Sequence, residues 1–123
     1  MREILFRGKR INNGEWVEGS LCQEGDNDAV IIESLSCYSD GFMQAFGAAV
    51  DPATVGQFTG LLDKNGKRIF EGDIIRSQSR LYGVEWVQDG FGAYDSDGNG
   101  GPLSLFAERY PVIGNIHDNP ELL

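Results

Sequence analysis

The side chains able to make or break covalent bonds are few: one histidine, His117, and two cysteines, Cys22 and Cys37, without Cys-x-x-Cys spacing. Together they fall short of a four-ligand zinc site unless carboxylates or a second chain contribute. A Cys–His nucleophile pair needs distant loops to converge, and His117, next to Asp118 near the end of the chain, reads as a turn residue. In a reducing compartment both thiols are expected to be free, a Cys22–Cys37 disulfide being the lesser alternative. Glu71 and Asp73 flank Gly72 and are of the right type for acid/base work, but carboxylates at such a strand corner more often accept backbone N–H bonds.

The sharpest ligand-like motif is Asp95-x-Asp97-x-Asn99-Gly100, because a calcium loop places oxygen ligands at alternate positions before a turn glycine. Its second half departs from that pattern. Pro102 stands where an apolar residue is usual, Phe106 stands where a bidentate Glu is required, and Glu108 comes two residues too late. The motif reads first as an Asp/Gly-rich hairpin loop, with Asp95, Asp97 and Asn99 as weak calcium candidates. The glycines from Gly98 to Gly101 lack the Lys and the following helix of a phosphate loop. No catalytic residue, cofactor or metal is therefore assigned, and an enzyme is not expected.

Charge narrows the partners. The formal net charge is -9, with 4 basic and 9 acidic residues up to position 54 and 1 basic and 7 acidic after position 80. Between them, residues 55–80 carry 5 basic and 3 acidic side chains. Lys64, Lys67, Arg68, Arg76 and Arg80 form the one locally basic stretch, read as the solvated rim of a hairpin or, alternatively, as a small binding patch. Nucleic acid is a disfavoured partner, since phosphate contacts need clustered cations; acidic mimicry of DNA toward a host protein is the other form of that alternative. Trp16, Tyr82, Trp86, Phe91 and Tyr94 as a base-stacking platform would need a basic groove, so core packing is the better expectation for them. Trp86, in phase with Val84, is expected to be buried, and Trp16 is left open.

The elements that must position these residues are mostly strands. At 123 residues the chain suits one domain, and its 17 glycines favour many short strands over long helices. The segment Glu3 to Arg7, the Asn12-Asn13-Gly14 turn and Trp16 to Leu21 predict an opening hairpin, and Ala29 to Glu33 a further strand. Phe42, Met43, Phe46 and Val50 are spaced as on a helical turn, and Asp51-Pro52 predicts a short helical turn over Pro52 to Val55. The best-specified stretch follows: Gln57 to Leu62 folds back on Lys67 to Phe70 through an Asp63-Lys64-Asn65-Gly66 turn, where the left-handed backbone at Asn65-Gly66 is cheap only for Asn and Gly. Gly72 and Asp73 then turn the corner into Ile74-Ile75. Tyr82 to Val87 alternates as a half-buried strand, Gln88-Asp89-Gly90 is a turn, and Phe91 to Tyr94 returns. Asp95 to Pro102 reads as loop, Leu103 to Glu108 as a short ambiguous element, and Tyr110 to Ile116 as the last strand. No run approaches the roughly 20 apolar residues of a membrane span, nor does a secretory leader open the chain, so a cytoplasmic protein without membrane contact is expected.

The stretch Val55 to Arg76, with Val112-Ile113-Gly114-Asn115-Ile116 and Asn119-Pro120-Glu121-Leu122-Leu123, resembles the YopX-like family of small phage and prophage proteins, whose function is unassigned. The resemblance is strong over residues 50–76, moderate over 81–94 and 112–123, and weak over 1–7; residues 22–49 do not contribute. It implies a single mainly-β YopX-like domain over 1–123: an SH3-like barrel of short antiparallel strands over 55–123, with an N-terminal hairpin extension and variable region over 1–54 and one or two short helical turns. A phage-derived accessory protein in the bacterial host's cytoplasm is implied, expected to act by contact with an unidentified protein. Short edge strands and the apolar Leu122-Leu123 tip favour homo-oligomers.

Overall fold

The computed structural model describes residues 4–25, 27–37, 39–41 and 43–123, with all their side chains except those of residues 24, 34–37, 43 and 45. The described residues form ten strands: β1 (Phe6–Arg10), β2 (Trp16–Glu24), β3 (Asp28–Cys37), β4 (Met43–Leu62), β5 (Arg68–Phe70), β6 (Asp73–Ser77), β7 (Arg80–Val87), β8 (Gly90–Tyr94), β9 (Gly100–Pro102) and β10 (Val112–Asn115). Single 3-10 turns occupy Leu103–Leu105 and Pro120–Leu122, and no α-helix occurs among the described residues. The protein is mainly β, with two antiparallel sheets. The chain divides into two compact units, Met1–Gln57 and Phe58–Leu123.

In the first unit β1 pairs with β2, β2 with β3, β3 with β4, and β4 returns to β1, so the pairing forms a cycle. Alternation explains the core. Ala29 and Ile31 on β3 point inward with Val17, Ala48 and Val50, while Phe6, Leu21 and Val55 pack around them. The strands approach closely enough to require glycine, as two positions show. A Cβ on Gly8 would lie 2.7 Å from Val50 Cγ2, and one on Gly19 would collide with the carbonyl oxygen of Ile32.

Two helical expectations fail here. Met43 to Val50 is strand, paired with β3 through Phe46↔Ser34 and Ala48↔Ile31, and Phe42 lies outside the described residues. Pro52 to Val55 is not a helical turn but a bulge in β4, where the partners of Arg7 and Lys9 jump from Gly56 to Asp51. Asp51 does cap a local turn, its Oδ1 accepting the Ala53 N–H at 3.0 Å. The deciding contact is remote: Thr54 Oγ1 donates to the Asp51 carbonyl at 2.6 Å and accepts the Lys9 N–H at 2.9 Å, which keeps the segment in the sheet. A bulge is also where a strand tolerates proline.

In the second unit the strand order is β10-β6-β7-β8-β9, and the end of β4 pairs with β5. Ile69, Ile75, Val84, Ala93 and Leu103 form its core, with Tyr82, Phe106 and Tyr110 packed around them. Tyr82 and Phe106 stack tilted at 4.8 Å between ring centroids. The β4–β5 hairpin forms as the sequence predicts, with one refinement. Gly66 alone takes left-handed backbone (φ 79°), because Asp63 N–H to the Lys67 carbonyl closes a three-residue loop that needs it only at its last position. A second irregularity lies before the turn, where Gly60 (φ 86°) and the Thr59 hydroxyl, bonded to the Ile69 carbonyl at 2.7 Å, absorb a register shift. The predicted 95–102 loop ends in the short edge strand β9, which pairs Gly100 to Pro102 with β8.

Gly19→Ala should lower the free energy of unfolding by about 2 kcal/mol, because the new methyl group meets backbone rather than a side chain that can turn away. Urea denaturation of the two proteins measures this, and superimposable curves would refute the close approach.

Candidate functional site

Two aspartate-headed turns carry much of the second unit's polar geometry. In Asp63-Lys64-Asn65-Gly66-Lys67, Asp63 Oδ1 accepts the N–H groups of Asn65 and Lys67, both at 2.8 Å. In Asp95-Ser96-Asp97-Gly98-Asn99, Asp95 Oδ1 accepts those of Asp97 at 3.0 Å and Asn99 at 2.8 Å. The backbone closes alike in both, Gly66 N–H onto Asp63 and Gly98 N–H onto Asp95, with Gly98 at φ 84°. Such an Asx turn explains the alternating Asp-x-Asp-Gly pattern without an ion, since the first carboxylate already serves the backbone.

The second oxygens differ. Asp95 Oδ2 faces the Arg80 guanidinium at 3.5 Å near the surface. Asp63 Oδ2 accepts the N–H of Val112 on β10 at 2.8 Å, and its residue is only 3% exposed. Desolvation pushes the Asp63 carboxyl up, but the backbone bonds from Val112, Lys67 and Asn65 and the Lys67 charge outweigh it and hold the pKa below the ordinary value. Sequence reasoning places Asp63 at the head of its turn but gives it no role beyond that, because its third donor comes from 49 residues away.

The corner residues sit as follows. Gly72 (φ 93°) is buried, donates its N–H to the Val84 carbonyl at 2.8 Å and accepts the Ile116 N–H at 2.9 Å. Asp73 is 1% exposed and its Oδ2 accepts the Phe70 N–H at 2.7 Å, so this carboxylate braces the corner. Lys64, Lys67, Arg68, Arg76 and Arg80 are all exposed. Lys67 lies by the Asp63 carboxylate, Arg80 by Asp95, and Arg68 over the Phe58 ring at 5.9 Å, so local partners offset the basic stretch. Cys22 is a free, exposed thiol on β2, while the Cys37 side chain lies outside the described residues. His117 belongs to the second unit, in a turn where its N–H meets Asn115 Oδ1 at 3.0 Å. Among the described residues no three His, Cys, Asp or Glu side chains group as a cation site.

Trp86 corrects the sequence expectation most sharply: it is 51% exposed. Its phase with Val84 is as read, and Trp86 and Phe91 are cross-strand partners on the face that carries Val84 and Ala93. The β7–β8 hairpin simply runs on past the last layer of the core, leaving the indole edge-on to Phe91 with centroids 4.8 Å apart. Trp16 is half-buried, with the Arg7 guanidinium 4.7 Å and the Lys9 ammonium 5.8 Å from its ring centroid.

A family model described as YopX protein matches residues 5–123. The chain belongs to the YopX family. Among solved structures it is similar to protein EF1440 from Enterococcus faecalis, at 27% identity and a TM-score of 0.70, covering 100% of this chain and 99% of that one. A search of the curated proteins finds no match. In this YopX-family chain the match takes in both aspartate turns and the whole β7–β8 hairpin. No helix among the described residues is long and apolar enough to cross a membrane.

Because folding lowers the Asp63 pKa, its contribution to stability is complete above the unfolded carboxylate value of about 3.9 and is lost as the pH falls through the depressed folded value. Asp63→Asn should therefore destabilise the protein by about 2–3 kcal/mol at neutral pH and flatten the acid limb of the stability–pH curve. Asp95→Asn should cost less than about 1 kcal/mol, since its ion pair with the exposed Arg80 is screened. Urea titrations between neutral pH and pH 2 measure both effects, and equal losses in the two variants would contradict the assignment.

Proposed function

We propose that this YopX-family chain is a phage- or prophage-derived accessory protein of the bacterial cytoplasm that acts by binding another protein and carries out no catalysis. The observation behind this is Trp86, a large aromatic held by Phe91 at a hairpin tip and half open to solvent. Exposed tryptophans of this kind are typical anchors of protein interfaces. Self-association into a homo-oligomer has its own surface in the edge strand β10 and the following turn, where Ile113 is 38% and Ile116 42% exposed. We read the second unit as an SH3-like barrel, in keeping with its meander of short twisted strands and glycine corners. Nucleic-acid binding ranks second, because the basic stretch has acidic and aromatic neighbours of its own.

The test is capture by immobilised full-length protein from extracts of phage-infected cells, with wild type and Trp86→Ala side by side and light scattering on both. The expected result is a discrete protein retained by wild type and lost with Trp86→Ala, and a scattering mass above 13.5 kDa. A monomer that captures nothing, or identical capture by the variant, would overturn the proposal.

A further inference from the structure

The β7–β8 tip joins apolar surface to negative charge. Trp86 is 51% and Val87 36% exposed, and the neighbouring Glu85 and Asp89 are exposed as well. Between Arg80 and Arg109 the sequence has no Lys or Arg but five acidic residues, Glu85, Asp89, Asp95, Asp97 and Glu108. Arg80 is already engaged with Asp95. Around the hairpin tip an open cleft of about 330 Å³ is lined by Val87, Asp89, Phe91, Tyr94 and Pro102 among others. Gly92 leaves room for the Tyr94 ring in that lining, because the ring lies where a Cβ would stand.

Charge decides what this surface fits. A second copy docked tip to tip would set Glu85 and Asp89 against their own like charges, which oppose docking at this surface while leaving the β10 edge free to pair. A cationic segment meets no such penalty. A Lys or Arg can lie on the indole face, which attracts cations most strongly when water is excluded, while Glu85 and Asp89 attract it from a distance. An aliphatic neighbour can fill the cleft beside Val87.

We propose that the Trp86 hairpin tip is a docking site for a basic, leucine-like segment of a partner protein, with a cation seated on the indole. This inference rests on the interaction reading above and adds the chemistry of the partner.

The probe is a short peptide of alternating arginine and leucine, titrated into full-length Trp16→Phe protein so that Trp86 is the sole reporter; an alternating glutamate and leucine peptide serves as control. At low salt the basic peptide should change Trp86 emission saturably, and the acidic one should not. By calorimetry, Glu85→Gln/Asp89→Asn and Trp86→Ala should each weaken binding about tenfold. Glu15→Gln/Asp28→Asn, which removes equal charge from the first unit, should leave it unchanged. Absence of saturable binding, or an equal loss from the first-unit pair, would overturn the cationic site. If the peptide fails while Trp86→Ala still abolishes capture of a cellular protein, the chemistry is wrong but the interaction reading stands; if both fail, both fall.

Discussion

Burying a carboxylate is costly unless donors meet its oxygens, and at Asp63 three backbone N–H groups do so. Two of them shape the turn between β4 and β5; the third belongs to Val112 on β10. One side chain thus fixes a local turn and ties it to a strand far along the chain. Neighbouring backbone bonds follow the same seam, from Lys64 N–H to the Tyr110 carbonyl at 3.2 Å and from Glu108 N–H to the Leu62 carbonyl at 2.9 Å. With β10 held there and paired to β6, the sheet continues through β7 to the hairpin that carries Trp86. Asp73 repeats the device at the next corner, bracing Phe70 as the chain enters β6.

The first unit relies on a different constraint, the closeness of strand to strand. Gly8 and Gly19 let β1 and β2 approach Val50 and the Ile32 carbonyl, and larger residues there would force the cycle of pairings apart. Thr54 serves the bulge in β4 much as Asp63 serves its hairpin, a polar side chain satisfying a backbone N–H from another strand. In both units polar groups set the irregular positions, and apolar burial fills the regular ones.

Much of this was legible locally. The Asn-Asn-Gly and Asn-Gly turns marked both leading hairpins, and the alternation of Tyr82, Val84 and Trp86 gave the face of β7. Alternation tells which way a side chain points but not where the core stops, so the exposure of Trp86 was beyond it. Pro52 to Val55 misled because its strand conformation depends on a bond to Lys9, 45 residues away. For the site, the Asp95 and Asp63 motifs were both legible as turns, whereas the tie from Asp63 to β10 was not, because its third bond is long-range. Nothing local distinguishes a carboxylate that organises one turn from one that joins two segments.

Asp63 ties the β4–β5 turn to β10, and the rest of the second unit's sheet hangs on that tie. Amide hydrogen exchange in wild type and Asp63→Ala measures it directly. The amides of Asn65, Lys67 and Val112 should lose protection together, by about a hundredfold, while core amides such as that of Val84 lose distinctly less. Undiminished protection of the Val112 amide in Asp63→Ala would contradict it.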